Sequence, residues 1–241
     1  MDGAVTVNGR LVTELGARAD PIADDIKVSG RKIDGPSTRV YLALYKPAGY
    51  VTTASDEYGR ATVLDLLKDL AVRVFPVGRL DRNSEGLLLL TNDGDLALRL
   101  THPRYGIEKE YHVLVKPNAD AATIERLAHG VMLEGRRTQP AEVERLAPAD
   151  DGAWLTMTIH EGRKRQIRGM CEVVGLEVQQ LIRQRMGPIR LDDLQPGRYR
   201  ALSQKEITLI KASVGLAAPP KPRAPRKRKG PTKANPRGRQ H

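Results

Sequence analysis

Four consecutive leucines, Leu87 to Leu90, constrain this chain more than any other stretch. Gly86 bounds the run on one side; Asn92, Asp93 and Gly94 bound it on the other. An apolar run this short between turn residues reads as a fully buried strand. Directly before it lies Gly-Arg-Leu-Asp, residues 78–81, in a loop that such a strand would hold rigid. Asp81 is close to Arg79 and Arg82, and nearby positive charge keeps a carboxylate ionised. A carboxylate on a rigid scaffold can act as a nucleophile or base. Asp is also a common turn residue, and on its surroundings alone Asp81 fits that role better.

The 241 residues leave room for one medium domain and a smaller one. A single cysteine, Cys171, excludes a disulfide framework and any multi-cysteine zinc site. The five histidines form no H-E-x-x-H pair, and neither G-x-G-x-x-G nor a Walker A sequence is present. No apolar run approaches the length needed to span a bilayer, and the first residues lack the apolar core of a signal peptide. A soluble, cytoplasmic protein is expected. The formal net charge of +11 is unevenly spread. Nine of the 40 basic residues, and none of the 29 acidic ones, lie beyond Leu216. The remainder is nearly neutral, with 31 basic residues against 29 acidic. The stretch 215–241 is rich in Pro, Lys and Arg and nearly free of apolar side chains, so it is expected to be disordered and to attract RNA phosphates without sequence preference.

Residues 4–33 alternate apolar and polar positions around Asn8-Gly9 and Ser29-Gly30, which predicts a small β unit within residues 1–35. A short linker leads into a body spanning 39–214. Residues 40–53 predict a strand, a Lys-Pro-Ala-Gly turn and a second strand. Thr62 and Asp65 form a capping-box pattern that opens a helix to about Leu70. A short helix is expected over 95–100, an alternating strand over 108–116, and a helix over 120–129 capped by Asp120. Residues 131–146 suggest a hairpin-rich insertion. A strand over 154–162 delivers the chain to Gly-Arg-Lys-Arg-Gln-Ile-Arg, residues 162–168, which opens another helix. Cations at a helix start oppose the dipole, a hint of a nearby anion, although most charge runs are simply solvated. A strand from Glu177 and a final helix opened by the Ser203–Glu206 capping box complete the body. Strands outnumber helices without regular βαβ alternation, so the fold class is α+β, a mostly antiparallel sheet with flanking helices.

GRLDRNSEGLLLLTNDG, residues 78–94, is similar to the signature of the RsuA/RluB-type ribosomal RNA pseudouridine synthases. Lys46-Pro47, Tyr111 in Lys-x-Tyr and the Gly162–Arg168 segment resemble that family's other motifs, in family order, over residues 40–211. The resemblance implies an isomerase that breaks the N1 glycosidic bond of a uridine and rejoins the ring through C5, with no cofactor and no metal. It implies Asp81, Tyr111 and Arg168 as catalytic residues, with Arg168 paired to Asp81 and lowering its pKa. Ile167 and Leu181 would form an apolar wall; Lys46, Arg79, Arg163, Lys164 and Arg165 would contact RNA. The N-terminal unit resembles the second half of an alpha-L RNA-binding module, so the module is truncated or the true start lies upstream. Residues 86–111 are closer to the large-subunit branch, pointing to 23S rRNA in a pre-ribosomal large subunit and to a role in rRNA processing and ribosome biogenesis. A 16S rRNA enzyme and a non-catalytic RNA-binding assembly factor are the alternatives. No feature calls for an oligomer, and a monomer without membrane attachment is expected.

Overall fold

The structure, a computed structural model, describes residues 5–17, 19, 24–33, 38–53 and 56–216. Residues 217–241 of the basic tail predicted to be disordered lie outside the described residues, as does most of the expected linker, whereas Leu216 packs against the core. The N-terminal unit is a four-stranded antiparallel sheet in the order β2-β1-β3-β4. It comprises β1 (Val5–Val7), β2 (Arg10–Leu11), β3 (Ile26–Val28) and β4 (Arg31–Lys32). Asn8 and Gly9, at φ 52° and 78°, make the first turn. Two consecutive positive φ values match the twist of a tight hairpin. The Asn8 side chain accepts from the backbone N–H of Asp25 at 2.9 Å, tying this turn to the start of β3.

The body is one nine-stranded sheet with helices on both faces. In chain order it contains β5 (Tyr41–Lys46), a 3₁₀ turn (Val63–Leu67), β6 (Phe75–Pro76), β7 (Glu85–Thr91) and α1 (Gly94–Thr101). Then come β8 (Lys109–Lys116), α2 (Ala121–Ala128) and the small hairpin β9 (Met132–Leu133) and β10 (Arg136–Arg137). Next are β11 (Glu142–Ala149), β12 (Gly152–Ile159), α3 (Gln166–Val173) and β13 (Glu177–Met186). The last elements are β14 (Ile189–Arg190), β15 (Tyr199–Ala201) and α4 (Gln204–Ser213). The sheet order is β11-β12-β8-β13-β7-β5-β15, with β6 beside β7 and β14 beside β13.

The leucine run is β7, and its two faces serve different cores. Leu88 and Leu90 pack with Leu42, Leu44, Val113 and residues of α2 and α3. Leu87 and Leu89 pack with Tyr41, Ala43 and residues of α1 and α4. A strand covered on both sides needs apolar side chains at every position, which is why alternation is lost here.

Every strand pair in the body is antiparallel except β13 with β7, joined only at Ile182–Glu85 and Arg183–Gly86. Gly86 has φ +99°, and a Cβ there would sit 2.3 Å from the Arg183 carbonyl oxygen. Glycine therefore sets how closely the two strands approach, just after the loop that carries Asp81.

Three expectations change. After the Lys-Pro-Ala-Gly turn, Val51 makes a single bridge to Thr62 rather than a second strand. The capping box opens a 3₁₀ turn, with the Asp65 carboxylate accepting from the Thr62 N–H at 2.6 Å and its hydroxyl at 3.1 Å. The expected insertion splits: residues 132–137 are a hairpin, but Glu142–Ala149 is the edge strand of the main sheet. An edge strand with one outward face carries few apolar residues and tolerates Pro148, so its pattern is weak.

Candidate active site

The Asp81 loop is held from several directions. Lys46, at the end of β5, is fully buried, and its Nζ donates to the carbonyls of Pro47 (3.1 Å), Arg82 (3.3 Å) and Ser84 (2.7 Å). Burial pulls its pKa down to about 8, opposed by Glu85 and Asp81. The predicted phosphate contact at Lys46 is thus replaced by a structural one, because no ammonium proton reaches solvent from this site. Thr52 donates its hydroxyl to the Leu80 carbonyl at 2.9 Å, and Gly49 N–H donates to the Arg82 carbonyl at 2.8 Å. Ser84 N–H closes the turn onto the Asp81 carbonyl at 3.0 Å. A loop pinned this way fixes the Asp81 backbone while leaving its side chain about 40% exposed.

Arg168 belongs to the same scaffold. Its Nη2 donates to the Asn83 carbonyl and its Nη1 to the Val178 carbonyl, both at 3.0 Å, so it straps the loop to β13. The expected Asp81–Arg168 ion pair does not form. Arg168 lies behind the loop, in a second groove with Lys116 and Glu172. Burial and Arg165 lower its pKa while Asp81 acts the other way, which puts the carboxylate within electrostatic reach. The cation on Asp81 is Arg165, with Nη1 3.8 Å from Oδ2. Arg165 precedes α3 with a left-handed backbone, φ 50°, a strained conformation for a non-glycine residue. Motif spacing alone could not separate these two arginines.

Asp81 opens into a cleft of about 740 Å³, and Tyr111, Ile167 and Leu181 line it too. Tyr111 on β8, Ile167 on α3 and Leu181 on β13 are each less than 8% exposed. Arg79, Lys164 and Arg165 are exposed around this cleft. Arg163 also borders it, but its guanidinium donates to the carbonyls of Leu133 and Arg136. It ties the β9–β10 hairpin onto α3, so its predicted RNA contact gives way to a structural one. Two lysine or arginine residues of the lining were missed: Lys109, two positions before Tyr111 on β8, and Arg183, two positions after Leu181 on β13. The period-2 rule applied to both strands identifies them.

Chemically, the cleft offers the Asp81 carboxylate on a pinned loop with a cation beside it, a second carboxylate, Glu161, bonded to Gln166, an aromatic ring with apolar neighbours, and a basic mouth. Cys171 offers no nucleophile, because burial pushes its thiol up to about 12. Among the described residues, no three His, Cys, Asp or Glu side chains cluster as a metal site requires, and no helix is long and apolar enough to cross a membrane.

Residues 40–173 match the family model described as RNA pseudouridylate synthase. Ribosomal large subunit pseudouridine synthase B of Bacillus subtilis is 40% identical over 213 residues, covering 88% of this chain and 86% of that protein. An uncharacterized RNA pseudouridine synthase of Aquifex aeolicus is 40% identical, covering 92% of this chain and 90% of its own length. A crystal structure of a pseudouridylate synthase superposes with a TM-score of 0.66 at 30% identity, over 86% of this chain and 89% of that one. Fold, motif order and overall similarity therefore agree: this chain belongs to the RNA pseudouridylate synthase family, isomerases that act on RNA.

Proposed function

We propose that this protein converts one uridine of 23S rRNA to pseudouridine in the large ribosomal subunit or its precursor, with Asp81 as the catalytic carboxylate. The observation that carries the reading is Asp81 itself, pinned by its loop and lining one cleft with Tyr111, Ile167 and Leu181. A base stacked in a helix is out of reach, so the target nucleotide must leave the stack and enter the cleft. Tyr111 then holds the ring, and the apolar walls exclude water from the sugar. Asp81 works on the nucleotide as nucleophile or base, with the Arg165 guanidinium 3.8 Å from its Oδ2. Arg168 acts as a positioning residue through Asn83. Arg79, Lys164 and Arg165 receive the phosphates at the mouth. The large-subunit target is supported by relatives named ribosomal large subunit pseudouridine synthase B in Bacillus subtilis and Pseudomonas aeruginosa. In this reading the protein acts as a cytoplasmic monomer, and the small N-terminal sheet and basic tail add RNA contacts.

Carbodiimide primer extension on rRNA from cells with and without the gene tests the proposal. It expects the loss of one 23S stop, restored by the wild-type gene and not by Asp81→Ala. A lost stop in 16S rRNA would overturn the target. Restoration by Asp81→Ala would overturn the role of Asp81.

A further inference from the structure

The cleft floor carries two cations that the reading above does not use. Arg183 is 2% exposed; its Nε donates to the Leu87 carbonyl at 2.7 Å, while its Nη2 is buried without a hydrogen-bond partner. Lys109 is half-buried and donates to the Ile107 carbonyl at 2.9 Å. Burial, then Arg183, pulls its pKa down to about 8. Among the described residues, neither has a carboxylate within ion-pair distance. The nearest candidates in sequence, Glu108 just before β8 and Glu110 within it, flank Lys109 but pair with Arg185 and Arg190. Strand alternation separates them: Lys109 and Tyr111 face the cleft, and the glutamates face away. The two carboxylates that line the cleft are engaged elsewhere: Asp81 is paired with Arg165, and Glu161 accepts from the Gln139 N–H and from Gln166 Nε2.

Two desolvated like charges without a counter-ion are costly, and the cost falls when an anion arrives between them. Their position indicates which anion. Arg183 sits directly across the strand pair from Tyr111, and Lys109 is about 7 Å along β8 on the same face. A ring held by Tyr111 therefore lies over both. The RNA backbone meets the exposed cations at the mouth, and the base is the part of a nucleotide that reaches furthest in. We infer that Lys109 and Arg183 form an oxyanion site for the carbonyl oxygens of the uracil ring. This inference rests on the isomerase reading proposed above.

The chemistry supplies the charge. When the C1′–N1 bond breaks, both electrons leave with the ring, and either C1′ bonds to the Asp81 carboxylate or C2′ gives a proton to that carboxylate as a C1′–C2′ double bond forms. The detached ring is a monoanion with charge on N1, O2 and O4. The ring turns, C5 bonds to C1′ as the Asp81 bond breaks or the C2′ proton returns, the C5 proton leaves, and N1 gains one. Atoms and charge balance without a co-reactant. Donors aimed where charge develops lower the barrier more than they strengthen substrate binding.

The test uses the full chain and an unmodified rRNA transcript, measuring single-turnover pseudouridine formation and RNA affinity separately. Lys109→Met should slow the bound-state reaction about 100-fold, with RNA affinity within about two-fold of wild type. Lys109→Arg, which keeps the charge, should restore part of the rate. Sulfur accepts hydrogen bonds weakly, so a 2-thiouridine or 4-thiouridine target should slow the wild type while adding little to Lys109→Met. Equal rates for wild type and Lys109→Met would overturn the inference. So would weaker RNA binding with an unchanged bound-state rate, the signature of a phosphate contact. Wild-type protein that forms no pseudouridine would overturn the isomerase reading together with this inference; an active wild type with an equally active variant overturns this inference alone.

Discussion

Gly86→Ala probes the close approach of β7 and β13, the parallel junction beside the Asp81 loop. An alanine Cβ would meet the Arg183 carbonyl oxygen at 2.3 Å and its nitrogen at 2.6 Å. Ordinary contact begins about 1 Å further out, so the strands must part by about that much. Overpacking of this kind costs about 1–3 kcal/mol, and the +99° φ adds about 1–2 kcal/mol for a residue with a Cβ. The sum, about 2–5 kcal/mol, corresponds to a fall in Tm of roughly 10 °C for a chain of this length. The displaced segment leads straight into the catalytic loop, and a misplacement of about 1 Å can cost about 100-fold in rate. Gly135→Ala is the matched control: Gly135 has φ +75°, but nothing lies within 4 Å of its would-be Cβ. It should lose only about 1 kcal/mol and keep its activity. Thermal melts and single-turnover rates on both variants decide the matter. Equal small losses in the two variants would refute the claim that close approach, rather than backbone conformation, requires glycine at position 86.

Arg168→Lys should slow the reaction about 10- to 100-fold without weakening RNA binding, because one ammonium cannot span the Asn83 and Val178 carbonyls as the guanidinium does; a wild-type rate would remove its positioning role. Glu206 binds Arg200 at 2.8 and 3.0 Å and accepts from the Ser203 N–H, and these contacts pull its pKa to about 2 from an ordinary 4.5. Its contribution is complete above the unfolded value and fades as pH falls through the folded one. Glu206→Gln should therefore cost about 1–2 kcal/mol in urea melts at neutral pH, with the difference vanishing toward pH 2. Cys171, buried and with its thiol raised to about 12, should resist an aromatic disulfide reagent in the native state and react once unfolded; fast native labelling would contradict its burial.

Local pattern carried much of this fold. The unbroken apolarity of Leu87–Leu90 announced a strand covered on both faces, and β7 is one. Alternation through Tyr111, Val113 and Val115 announced β8, whose apolar side is fully buried. The Ser203–Glu206 capping box marked the start of α4 to the residue, because the cap is a contact among near neighbours. Glu142–Ala149 stayed hidden, since an edge strand shows solvent most of its side chains.

By itself, then, the sequence determined the order of elements, the motif loop around Asp81 and the aromatic and apolar positions that meet it. Those features are written in periods, caps and short spacings, each a matter of local sterics and burial. Only the tertiary structure decided which cation serves which partner. Lys46 turned inward to hold the loop rather than outward to a phosphate, Arg168 became a strap, and Arg165 took its place beside Asp81. It also brought Lys109 and Arg183, from strands far apart in the chain, onto one cleft floor, where among the described residues neither has a carboxylate within ion-pair distance. Charged side chains are long and their partners are chosen across the fold, so their roles follow from which carbonyl, carboxylate or open cleft lies within reach once the sheet has closed.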